Sequence, residues 1–204
     1  QLVKLIEDVS SLPIVLMGHS RGAIISLFLA AVLSEKVRSM VALDALIPDP
    51  QPEGNVINQL KKFIKERQNL INKKHTYLRN REDVIRRRCS VGLSLDAAEI
   101  LARRSLVHVE DKGYFWRFDQ RLKGASAVKF SKDDLSDILG NIEIPLMLAI
   151  ASDGYANGSS ELDAISEKLT RCEIVRVEGG HHFHMEDSAQ YLSQIINDFL
   201  AREV

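Results

Sequence analysis

The sequence is short of the features that mark a specialised class. Two cysteines, Cys89 and Cys172, stand far apart and match no metal-site or redox spacing. Two reduced thiols in a cytosolic protein are therefore expected in place of a disulfide. Charge of one sign is not in excess: 27 Lys and Arg stand against 28 Asp and Glu. Neither nucleic acid nor an anionic membrane is indicated as a main partner. No apolar run approaches membrane-spanning length and no secretory leader is recognisable, so the expectation is a cytoplasmic chain with no stable membrane insertion. Repeats and low-complexity tracts are lacking as well. So is an initiator methionine: Gln1 comes first and the strongest motif is complete by Gly22. That start is expected of a fragment or a partial reading frame.

What is present suits a globular protein. A chain of 204 residues, 45% hydrophobic and 27% charged, can bury a real core as one domain or one domain with an insertion. Residues 1–10 read as a short helix with Leu2, Val3, Leu5, Ile6 and Val9 on one face. Ile14 to Met17 form a short apolar run, as in a strand buried in a parallel sheet. A nearly all-apolar helix follows over 23–33, then a strand over 38–46. Pro48, Pro50 and Pro52 break this grammar. Helices are predicted over 53–71 and 95–104, the latter capped by Ser94, then an aromatic extended segment at 113–118 and a short helix from Ser131. Strands return at 144–150 and 172–177, separated by a helix at 160–169 and followed by one from Ser188 to Ala201. Alternating β and α predicts an α/β fold with a parallel sheet. The predicted organisation is a core at 1–47, a helical insert at 48–139 and a return to the core at 140–204.

Gly18-His19-Ser20-Arg21-Gly22 matches G-x-S-x-G between an apolar strand and an apolar helix. Such a turn strains the serine backbone, needs small neighbours on both sides, and exposes the hydroxyl at the strand's carboxyl end. Ser20 is thus the candidate nucleophile, and the N–H of Arg21 the candidate oxyanion donor. The base should lie late in the chain. Residues 180–186 hold three of the six histidines, and His181, directly after Gly179-Gly180, is the choice. His184 and Met185 are expected to pack where the loop turns into the helix. A metal reading of these histidines lacks a convincing ligand set. For the acid, Asp153 after the third visible strand is preferred, with Asp44 after the second as the alternative. His19, Phe63, Phe115 and Trp116 are candidate substrate-pocket residues, although each aromatic could equally serve packing. The basic run at 61–88 is expected to be a solvated helix face and not an anion site.

The elbow, the Leu43-Asp44 pair, the stretch Trp116-Arg-Phe-Asp-Gln-Arg-Leu122 and the run Val177-Glu-Gly-Gly-His-His-Phe-His-Met185 together resemble the α/β-hydrolase superfamily, and within it the serine hydrolase-like proteins. The resemblance spans nearly the whole chain. It implies an α/β-hydrolase fold with helices on both sheet faces, a helical cap inserted over the site, and hydrolysis through an acyl-enzyme on Ser20 with His181 as base. It also implies that the first strands, and the loop supplying a second oxyanion donor, lie outside this chain. The elbow strand is then expected to be an open, aggregation-prone edge. Asn157 stands where some relatives place an aspartate.

The function expected is cleavage of a carboxylic ester or related acyl bond of a small molecule, with no cofactor. Rivals are another serine-dependent enzyme on this fold (a C–C hydrolase, thioesterase or haloperoxidase) and a non-catalytic binding protein. Serine at the elbow argues against dehalogenase or epoxide hydrolase chemistry, which needs a carboxylate there.

Overall fold

A computed structural model describes residues 1–52, 54–71, 73–158, 165 and 167–203. In chain order the elements are α1 (Leu2–Val9), β1 (Ile14–His19), α2 (Arg21–Val32), β2 (Val37–Leu43), α3 (Val56–Ile71), α4 (Arg81–Cys89), α5 (Leu95–Ser105), β3 (Leu106–Val109), β4 (Gly113–Trp116), α6 (Lys132–Gly140), β5 (Leu146–Asp153), β6 (Cys172–Gly180) and α7 (Ala189–Arg202). The chain folds as two compact units, Gln1–Pro50 with Phe130–Val204, and Gln51–Lys129.

The first unit holds a parallel sheet in the order β1-β2-β5-β6. Its two central strands are apolar on both faces, and alternation sends successive residues to opposite sides. Met40, Ala42, Leu146, Leu148 and Ile150 pack with Leu27 of α2 and Leu139 of α6. Val41, Leu43, Met147, Ala149 and Ala151 pack with Phe183 and with Leu192, Ile196 and Phe199 of α7. Helices thus cover both faces. β1 ends the strand order, and its Val15 and Met17 are 41% and 53% exposed. α1 forms as predicted but buries only Ile6. Most of the helix predicted at 160–169 lies outside the described residues.

The second unit carries α3, α4, α5 and the antiparallel hairpin β3–β4. Its end comes at Lys129, earlier than the sequence pattern suggests. Ser131 and Asp134 form a reciprocal capping box that starts α6, whose Leu135 and Leu139 are buried in the first unit. α4 was not anticipated, because three arginines mask its Val84 and Ile85, which are buried. Those arginines occupy its last turn, where cations suit the helix dipole. Cys89 and Cys172 are both free thiols. Among the described residues no helix is long and apolar enough to cross a membrane.

Candidate active site

The elbow forms where β1 turns into α2. Ser20 takes φ 54° and ψ −122°, a conformation that L-residues rarely adopt. It is held there from both sides: its N–H donates to Leu43 O at 2.9 Å and its carbonyl accepts from Ala23 at 2.9 Å. A Cβ on Gly18 would lie 2.4 Å from the Gly22 carbonyl carbon, so the helix can return over the strand only if residue 18 is glycine. Gly22 differs: a Cβ there meets nothing within 4 Å among the described residues, so only one of the two flanking glycines is sterically required. Arg21 opens α2, where backbone N–H groups carry the positive end of the helix dipole.

His181 follows the end of β6. Its Nδ1 lies 2.6 Å from Oδ2 of Asp44, not of Asp153. The preference for Asp153 as the histidine's partner is therefore corrected. Asp44 is fully buried and directly follows β2, where φ turns to 50°. Its N–H donates to Ala149 O at 2.8 Å. Its Oδ1 accepts from the Ala151 N–H at 3.2 Å, and its Oδ2 from the Tyr155 N–H at 2.9 Å. A carboxylate can only accept, so the proton between Asp44 and His181 sits on Nδ1, leaving Nε2 as an acceptor. Asp153 instead remains in β5, paired opposite Gly180, exposed, and hydrogen-bonded to Ser152 Oγ at 3.2 Å. Asn157 is exposed and donates to Ser152 O.

Two residues of this arrangement were not singled out from the sequence. A Cβ on Gly154 would fall 2.2 Å from Oδ1 of Asp44, so the carboxylate occupies the space that a side chain would need. The Tyr155 ring lies 4.2 Å from that of His181, although Tyr155 is 81% exposed. Nothing in a loop rich in Ser, Asp, Gly and Asn reveals which glycine must be bare.

His19 is also reassigned. Its Nε2 lies 2.8 Å from the His181 carbonyl oxygen, which can only accept, so Nε2 carries the proton and is committed there. This contact argues against the predicted substrate contact and makes His19 a tie between the strand that leads to Ser20 and the loop that carries His181. His19 packs on His184, ring centroids 4.1 Å apart, and on His181 at 4.5 Å. Burial lowers the pKa of His19, more than its bond to the His181 carbonyl raises it. Burial, reinforced by the neighbouring histidines, pushes His184 down to about 4. Nδ1 of His184 is buried without a hydrogen-bond partner among the described residues. No group of three His, Cys, Asp or Glu among those residues is arranged to hold a metal ion.

The remaining pocket candidates lie in the second unit. Trp116 donates its indole N–H to Val84 O at 3.1 Å, and Phe115 packs against His75 and Tyr77. Both line a cavity of about 180 Å³, which Phe63, half-buried on α3, does not. In the first unit a cavity of about 150 Å³ reaches Asp44 beside Leu46, Ile47 and Tyr155; Ser20 and His181 are not in its wall.

Comparison with known proteins agrees with this architecture. The family model described as alpha/beta hydrolase fold matches residues 4–188. A serine hydrolase-like protein of Danio rerio is 25% identical over 198 residues, covering 91% of this chain and 60% of that protein. One from Dictyostelium discoideum is 25% identical over 204 residues, covering 92% of this chain and 55% of the relative. The chain thus spans little more than half the length of these curated relatives. Among solved structures, a hypothetical protein of Pseudomonas aeruginosa PAO1 superposes with a TM-score of 0.90 at 30% identity, covering 98% of this chain and 72% of that one. The thioesterase domain from the curacin biosynthetic pathway, at 20% identity and a TM-score of 0.80 over 97% of this chain and 71% of its own, shares the fold. This chain belongs to the α/β-hydrolase fold family and, within it, is similar to the serine hydrolase-like proteins.

Proposed function

We propose that this chain carries the catalytic machinery of a serine hydrolase that cleaves a carboxylic ester or related acyl bond of a small molecule. The observation that supports this best is the bond of 2.6 Å between the buried Asp44 carboxylate and the half-buried His181, on the same sheet edge as a strained serine elbow. His19, next to Ser20 in the chain, ties the two ends of that edge together through the His181 carbonyl.

In this reading Ser20 Oγ attacks the substrate carbonyl carbon while its proton passes to His181 Nε2. Asp44 holds the Nδ1 proton and stabilises the imidazolium as it forms. The Arg21 N–H donates to the developing oxyanion. Collapse breaks the bond to the leaving group, which takes the proton from Nε2 and departs as an alcohol or thiol. Water then gives a proton to the same nitrogen and attacks the acyl-serine. The acid leaves, and Ser20 regains its proton. No step calls for a metal or organic cofactor.

The test is covalent labelling with a fluorophosphonate, alongside hydrolysis of p-nitrophenyl esters, using the full-length protein. Labelling and turnover are expected, and both vanish in Ser20→Ala. A folded protein that takes no label and turns over no ester supports a binding role and ends the hydrolase reading.

A further inference from the structure

The cavity of about 180 Å³ in the second unit has an unusual wall. Three of its lining residues are cationic, Lys73, Arg87 and Lys123, and none carries a carboxylate. Lys73 lies in the middle, and Arg87 near the end, of the basic run expected to be a solvated face. The lysines of α3 do behave that way, since Lys61, Lys62 and Lys65 are exposed on its surface. Lys73, Arg87 and Lys123 are exposed as well, but all three line one cavity together with Phe115, Trp116 and Phe118.

Nearby acids are committed elsewhere. Asp119 is held by Arg121, whose hydrogen bonds lower its carboxyl to about 2. Glu99 is paired with Arg81, and Glu66 accepts from the Ala125 N–H at 2.7 Å. Of the lining cations Lys123 lies over a ring face, and Arg88, which is not in the lining, lies over another. The Arg88 guanidinium carbon is 4.7 Å from the Trp116 ring centroid, and the Lys123 ammonium is 4.4 Å from that of Phe118. Such contacts aim cations without neutralising them. Burial depresses the Lys123 ammonium, and Lys73 and Arg88 depress it further by repulsion. Buried nitrogens at or beside the cavity also lack partners among the described residues: Nδ1 of His75 and Nε of Arg88.

We infer that this cavity is a binding site for a small aromatic oxyanion, an aryl carboxylate or aryl phosphate. Its oxyanion meets Lys73, Arg87 and Lys123, and its ring lies against Phe115 and Trp116. The volume limits the ligand to about one ring and one anionic group, since drug-sized ligands need roughly 300 Å³ or more. The inference concerns binding alone and stands independently of the chemistry proposed for Ser20.

Trp116 is the chain's single tryptophan, so tryptophan emission, excited selectively over tyrosine, reports on this cavity. The experiment titrates Ser20→Ala protein, which excludes turnover, with benzoate, phenyl phosphate, inorganic phosphate and neutral benzamide, read by fluorescence and by calorimetry. Benzoate or phenyl phosphate is expected to bind saturably, and more weakly as salt is raised. Arg87 and Lys123 are exposed. A double variant, Arg87→Gln with Lys123→Gln, should therefore keep its fold, as circular dichroism checks, and bind at least tenfold more weakly. The inference is overturned if neither aromatic anion produces a fluorescence change or heat, or if the double variant binds as tightly as the parent. It also falls if benzamide matches benzoate, which removes the role of charge, or if inorganic phosphate matches phenyl phosphate, which removes the role of the ring.

Discussion

The carboxyl ends of the neighbouring strands β2 and β5 each present an aspartate, and only one of them meets His181. Pairing between β2 and β5 stops at Leu43 and Ala149, so Asp44 leaves the sheet at once, with φ at 50° and its carboxylate turned into the protein. β5 runs on beside β6 to Asp153, which is still in register with Gly180 and faces water. His181 then reaches back over β5 to the buried carboxylate. The difference shows that the acid's position depends less on which strand precedes it than on where that strand's pairing ends. Burial adds to it. Asp44 is held by two backbone N–H groups and an imidazole, while Asp153 holds one neighbouring hydroxyl.

The sharpest way to break this contrast is to neutralise each acid in turn. Asp44→Asn should lower kcat by about four orders of magnitude, as loss of the histidine-orienting carboxylate does in serine proteases. Steady-state kinetics on an activated ester checks it. A loss of that size in Asp153→Asn instead would reverse the assignment. Gly154→Ala comes next. Its methyl would stand 2.2 Å from Oδ1 of Asp44, so the pair must shift. A loss of about 100-fold in kcat is expected, with a lower melting temperature. Full activity in that variant would mean that the carboxylate's seat is not critical.

The tie through His19 should be worth less. His19→Phe keeps a ring against His184 but loses the donor to the His181 carbonyl. It should cost about tenfold in kcat with KM unchanged, the worth of one hydrogen bond of about 1.4 kcal/mol. His19→Gln, which restores an N–H near the same place, should recover most of it. A rise in KM with kcat retained would return His19 to the substrate. His184 predicts a pH effect on stability. Its folded pKa of about 4 lies below the usual 6.5, so the unfolded chain binds the extra proton first as pH falls. The melting temperature should therefore decline between about pH 6.5 and 4, and His184→Phe should flatten that decline. The smallest effect belongs to Asp153→Asn, within about twofold in kcat, because exposed substitutions change energies by about 0.5 kcal/mol or less.

Much of this was legible before folding was considered. The apolar run at 14–17 and the glycine-flanked serine place β1, the elbow and α2, because strand burial and backbone strain are written in local residue types. The same holds for Ser94 and Ser131 as helix caps, whose hydroxyls accept from residues three further along. α4 was hidden because three arginines obscure its apolar residues. Local sequence does not separate Asp153 from Asp44, because both follow strands and Ser-acid-His order fits either. The need for a bare Gly154, the ring of Tyr155 on His181 and the commitment of His19 to a carbonyl are contacts between residues far apart in sequence, and no local pattern encodes them.

By itself, then, the sequence determined the α/β alternation, the strained serine elbow and the histidine loop, since each depends on residues within a turn or two of one another. Only the tertiary structure decided which carboxylate serves His181 and what His19 does. Those outcomes depend on strand register and on the end of pairing between β2, β5 and β6, where a shift of a few residues exchanges a buried acid for an exposed one.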